Sequence, residues 1–172
     1  MRDRLPETID TAPLKTSGRE YRGSLSVLGM ARLAEILRDT DVPDLQISLY
    51  AGRDAGGVTC LQGQIEGSLH LTCQRCLERM AFPVKIDVRL ALVHSAAEAE
   101  RLAEAYEPLL VENERLVLRD VIEDELLLVV PSFPQHDATE HCSLPTYREA
   151  DISVVEEEKP NPFAALASLK RN

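Results

Sequence analysis

The chain has 172 residues, 44% of them hydrophobic, which suits one core-forming domain with appended segments. Aromatic residues make up 4% and Trp is absent, so the core has to be aliphatic. A formal charge of −10 argues against binding nucleic acid through bulk electrostatics, and no apolar run approaches the ~20 residues that cross a bilayer. The opening "MRDRLPETID" holds no apolar stretch of the secretory kind, so the expected compartment is the cytoplasm, where thiols stay reduced. Charge is unevenly spread. Basic and acidic residues balance at 12 each over 1–94, whereas 95–172 hold 7 and 17 and carry the whole excess.

Residues 1–22 are polar and contain Pro6 and Pro13, which predicts an extended N-terminal arm. In "SLSVLGMARLAEIL", Leu25, Leu28, Leu33, Ile36 and Leu37 fall near helical spacing and predict a helix over 26–38 with Ser26 as N-cap. The period then changes to two. "LQISLY" (45–50) alternates, and "GRDAGG" (52–57) reads as a hairpin connection. Leu61, Gly63, Ile65, Gly67, Leu69, Leu71 and Cys73 share one face of a long strand. The two glycines on that face predict curvature or close approach of another backbone. After "CQRCLERM", "FPVKIDVRLALV" repeats the pattern with Val84, Ile86, Val88, Leu90 and Leu92 inward.

"SAAEAERLAEAYEP" (95–108) predicts an acidic surface helix capped by Ser95. "LVLRDVIEDELLLVVP" predicts a helix over 117–130, with Leu118, Val121, Ile122, Leu126 and Val129 as its apolar stripe. Asp120, Glu123, Asp124 and Glu125 form the solvated side. Residues 143–160 read as an acidic flexible linker. In 161–172, Asn161 as N-cap and Pro162 at the first helical position open an amphipathic motif with Phe163, Leu166 and Leu169 on one face and Lys170 at the dipole's negative end. A helix this short needs a surface to dock on, either its own domain or a partner. The expected fold class is α+β over 23–142: a curved antiparallel sheet or small partly open barrel, two or three packed helices, and a C-terminal docking helix.

The chemistry concentrates in two places. Cys73 and Cys76 have the C-x2-C spacing that lets two thiolates converge on one ion, and His136, His141 and Cys142 offer the missing ligands. Zinc is the cofactor that such a set would hold. Three other readings stay open: a redox pair, a Cys–His nucleophile in a metal- or thiol-dependent enzyme, and buried thiols with no chemistry. No phosphate-binding glycine loop or H-E-x2-H is present, and no small-molecule substrate is implied. Arg53, Arg75, Arg79, Lys85 and Arg89 are the cations available around the strands for a specific RNA contact. An exposed sheet edge leaves homo-oligomer formation open.

The stretches "LQGQIEGSLHLTCQRCLE", "RDVIEDELLLVVPSFPQH", "EHC" and "NPFAALASLK", in this order, resemble the YceD family over roughly residues 20–172. The resemblance implies a role in accumulation or processing of the large-subunit (23S) rRNA, with an rRNA precursor or a large-subunit ribosomal protein as partner and no known reaction. It implicates Cys73, Arg75, Cys76, His136, His141 and Cys142, and the terminal Asn161, Pro162, Phe163, Leu166, Leu169 and Lys170. An acidic protein of this kind could bind rRNA by specific contacts, or chaperone a basic ribosomal protein.

Overall fold

The structure, a computed structural model, describes residues 5–102, 104–137 and 142. The alternating stretches at 45–50 and 61–73 fall on strands β3 (Leu45–Arg53) and β4 (Thr59–Thr72), with Gly52 and Arg53 of the expected hairpin connection still paired in β3, and the stretch after the cysteines gives β5 (Arg79–Val93). Together with β2 (Arg19–Leu25) and β6 (Glu107–Leu110) they form a curved, unclosed sheet in the order β2-β3-β4-β5-β6. The first four strands are antiparallel neighbours, as alternation predicts. β6 instead runs parallel to β5, because residues 94–106 cross back before it starts. The sheet is therefore mixed. A small second sheet pairs β1 (Thr8–Asp10) with β7 (Arg115–Val117).

The inward stripe is as the sequence predicts: Leu61, Ile65, Leu69, Val84, Ile86, Val88 and Leu90 are all buried. The glycines on it mark close approach. At Gly63, whose φ is +151°, a Cβ would lie 2.0 Å from the Ser48 carbonyl oxygen of β3, so that only glycine fits. At Gly67 a Cβ would meet a Leu45 methyl at 2.5 Å.

The core is closed by α3 (Leu118–Val129), whose buried Leu118, Val121, Ile122 and Leu126 form the expected stripe, while Val129 is exposed. Glu123 is not on the solvated side. It is buried, accepts a hydrogen bond from the Leu33 N–H at 3.0 Å and pairs with Arg32 at 3.0 Å. It thereby ties α3 to α1 (Ala31–Ala34).

Two predicted helices are single turns. Over 26–38 only Ala31–Ala34 is α-helical. Gly29 has φ +88° and the Ser26 hydroxyl accepts from the Leu28 N–H within a local turn, so the chain turns before a helix can start. Among the described residues of 95–108 only α2 (Ala96–Ala99) is helical, with the Ser95 side chain capping Glu98 as expected. That segment has no apolar stripe, and Tyr106 is drawn away to Asp54 instead. Within 1–22, β1 and a 3-10 turn at Pro13–Lys15 lie against the domain, with Ile9 and Leu14 in the core. Residues 143–172, including the linker and the terminal motif, lie outside the described residues. Among those described, no helix is long and apolar enough to cross a membrane.

Candidate metal centre

The β4–β5 ladder ends at the Thr72–Arg79 pair, leaving a six-residue knuckle, 73–78. Cys73 donates its N–H to the Glu78 carbonyl (2.9 Å), and Leu77 donates back to the Cys73 carbonyl (2.9 Å). Leu77 takes a left-handed φ of 63°, a strain that a reverse turn this tight imposes on a non-glycine residue. The chain leaving α3 through Pro131 and Pro134 returns here, since Gln74 donates to the Pro134 carbonyl at 2.8 Å. That hydrogen bond helps to bring His136 next to the knuckle.

Four polar atoms converge as a result. The ligand atoms of Cys73, Cys76, His136 and Cys142 all lie within 4.8 Å of one another. Cys73 Sγ is 3.7 Å from Cys142 Sγ, and Cys76 Sγ is 3.4 Å from His136 Nδ1. The sulfur pair is far beyond the ~2.05 Å of a disulfide. Cys73 and Cys76 are buried, and Leu71, Met80, Leu37 and Val130 pack around the group. Burial opposes a thiolate at Cys73, but the backbone N–H groups of Cys76, His136 and Arg75 outweigh it and hold the thiol down to about 5. Burial, followed by contact with Cys76 and Cys73, pushes the Cys142 thiol up to about 11. The group thus has one ready anion facing a thiol that gives up its proton only to a strong competing charge. Three sulfurs and an imidazole at this spacing can hold a borderline or soft divalent cation.

Four of the five ligand candidates are therefore brought together. His141 lies outside the described residues. Among the cations, Arg75 is exposed on the knuckle, while Arg79, Lys85 and Arg89 alternate along the outward face of β5. Arg79 leans on Asp39 (3.6 Å), which also holds His70 (2.7 Å), and Lys85 pairs with Glu66 across the strands (3.1 Å).

A second polar cluster had no clear sequence signal. At the other end of β4, Tyr106 donates to Asp54 (2.7 Å) and receives Gln62 Nε2 (2.7 Å), which also reaches Cys60 Sγ (3.0 Å). The Asp54 carboxylate is the main cause that pushes the Tyr106 phenol up to about 12, and burial raises the Cys60 thiol. The lone tyrosine inside an Ala- and Glu-rich stretch was the one available hint.

These features define an α+β protein in which three thiols and an imidazole, from a sheet hairpin and from chain some sixty residues later, come together. Residues 61–170 match the family described as "Large ribosomal RNA subunit accumulation protein YceD". A Haemophilus influenzae protein described in the same words is 33% identical, over 98% of this chain and 97% of its own length. The chain belongs to the YceD family. No solved structure matches it.

Proposed function

We propose that this chain is a non-enzymatic factor supporting accumulation of large-subunit (23S) rRNA in the cytoplasm, acting by binding an rRNA precursor or a large-subunit ribosomal protein. The observation that carries this reading is its full-length similarity to a protein described as a large ribosomal RNA subunit accumulation protein. Charge favours the ribosomal protein as the direct partner. The acid excess lies in 95–172, a complement to the basic chains that otherwise meet rRNA phosphates. Leu128 and Phe133, 74% and 78% exposed at the end of α3 and just beyond it, offer an apolar contact beside that charge. Arg75, Arg79, Lys85 and Arg89, together with the Asn161–Lys170 motif, are the further contact residues.

In this reading the Cys73, Cys76, His136 and Cys142 group is a structural zinc site. In a tetrahedron with ~2.3 Å Zn–S and ~2.05 Å Zn–N bonds, adjacent sulfurs lie about 3.8 Å apart and a sulfur and nitrogen about 3.6 Å. The 3.7 Å and 3.4 Å separations are close to that shape, and the other pairs lie within 4.8 Å, so an ion would only have to draw the group together. The ion would fix the knuckle to the loop after α3, so that Arg75 and Phe133 are held on one rigid surface.

The test is affinity purification of the full chain from cell extract, with quantitation of large-subunit rRNA precursor and ribosomal proteins. Enrichment of either, reduced by a Phe133→Asp variant, is the expected result. Recovery of neither would overturn the reading.

A further inference from the structure

We propose a second site, at the opposite end of the sheet from the Cys73 knuckle, that binds an organic phosphate. A cavity of about 390 Å³ opens between the 3-10 turn, the β3–β4 hairpin and the end of β5. This size suits a ligand of nucleotide dimensions. One wall is apolar, formed by Val58, Leu92 and Leu102. The other carries Lys15, Arg53 and Arg101 against a single carboxylate, Glu98.

Those charges are poorly matched within the protein. The guanidinium groups of Arg53 and Arg101 make no ion pair or side-chain hydrogen bond among the described residues. Lys15 reaches only Glu114, at 3.6 Å with both side chains about half exposed, a contact of little energy. Glu98 is turned to the His94 N–H (2.6 Å). The excess of two positive charges matches a phosphomonoester, which carries about −1.5 to −2 at neutral pH. Arginine forks also suit a tetrahedral oxyanion better than a lone lysine would.

A second observation falls at the same cavity. Thr11 lines this cavity, is 2% exposed, and its hydroxyl is the one buried side-chain oxygen or nitrogen without a hydrogen-bond partner among the described residues. An unpaired buried hydroxyl is a net cost to folding. A turn of the Thr11 side chain would bring its enclosed hydroxyl to a phosphoryl oxygen in the cavity, with Arg53 and Arg101 at the rim and the carbon portion of the ligand against Leu92 and Leu102. The inference does not depend on the proposed ribosomal role or on the metal. Two sources share this chemistry: a free nucleotide and the terminal phosphate of a nucleic-acid strand.

The test is titration of the full chain with uridine monophosphate, followed by the amide resonances of Thr11, Thr59 and His94. Uridine, inorganic phosphate and a 5′-phosphorylated trinucleotide serve as comparison probes. Saturable shifts with the monophosphate are expected, weakened at least tenfold by Arg53→Gln combined with Arg101→Gln, both exposed positions whose change leaves the remaining resonances in place. Thr11→Val separates binding from folding. It should leave the melting temperature of the free chain equal or higher while weakening the monophosphate several-fold. Competition by the trinucleotide would identify a strand end as the source, and its exclusion a free nucleotide. No saturable shift up to about 10 mM, equal binding of uridine or of inorganic phosphate, or unchanged affinity in the double variant would each overturn the site.

Discussion

Cys60 and Cys73 stand thirteen residues apart at opposite ends of one β-strand, both fully buried, and their thiols respond in opposite directions. Burial raises Cys60 and the Asp54 carboxylate adds to it, while Cys73 is held down to about 5. The difference lies in the backbone. Cys60 sits inside the β4–β5 ladder, where strand pairing occupies the neighbouring amides. Cys73 sits one residue past the ladder's end, where the knuckle turns its N–H groups towards the sulfur. A buried thiol just beyond the strand's end is drawn towards its anion, and the same residue within the strand is held towards its neutral form.

The largest test of that contrast is metal content. Cys73→Ser should take bound zinc from about one equivalent per chain to near none and expose the 134–137 segment to hydrogen exchange, whereas Cys60→Ala should leave the metal in place. Equal loss in both variants would break the comparison. A second test sharpens it through pH. The Cys73 thiol is lower in the folded chain than its ordinary value of 9.0, so the metal-free protein has this stabilisation in full above pH 9 and loses it as pH falls towards about 5. Denaturation of the metal-free chain should therefore show a stability gain from pH 5 to 9 that Cys73→Ser abolishes and Cys60→Ala retains.

Glu123→Gln comes next in size. This carboxylate sits below its ordinary range: burial opposes ionisation, but the Leu33 N–H and Arg32 outweigh it. The amide variant keeps the shape, loses the charge against Arg32, and should cost about 2 kcal/mol in urea denaturation with no change in metal content. The same logic gives wild-type stability that is complete above about pH 5 and falls as Glu123 protonates, a component that the variant lacks.

How much of this was legible in the sequence follows the same division. Alternation over 45–50, 61–73 and 82–93 set out the three central strands and their inward faces, and Leu118, Val121, Ile122 and Leu126 set out α3, because those signals are local and repeat many times. C-x2-C spacing with a later His and Cys named four residues that the fold does bring together, a signal carried by residue type rather than by period. The helix over 26–38 shrinks to a single turn because the left-handed Gly29 and the Ser26 hydroxyl set a turn that apolar spacing does not show, with Arg119 bound to the same turn. That over 95–108 shrinks because it has no apolar stripe and Asp54 and Gln62 hold Tyr106. No local pattern marks Glu123 as buried, since its neighbours Asp124 and Glu125 look alike in sequence and only the position of α1 distinguishes them. The parallel β6 and the Thr11 cavity likewise depend on which loop crosses which strand end.

The smallest effect tests whether the outward face of β5 serves folding or binding. Lys85 and Glu66 face each other across β4 and β5 at 3.1 Å, but both side chains are at least half exposed, so the pair contributes only a few tenths of a kcal/mol. Arg89, opposite Gln62, is exposed in the same row. Lys85→Ala combined with Arg89→Ala should therefore shift stability by no more than about 0.5 kcal/mol and leave metal content unchanged. Recovery of rRNA precursor in affinity purification should nonetheless fall if that face meets RNA. A ribosomal protein held by Phe133 and the acidic half would be recovered undiminished by the double variant. The two measurements together assign the outward cations to one partner or remove them from the binding surface altogether.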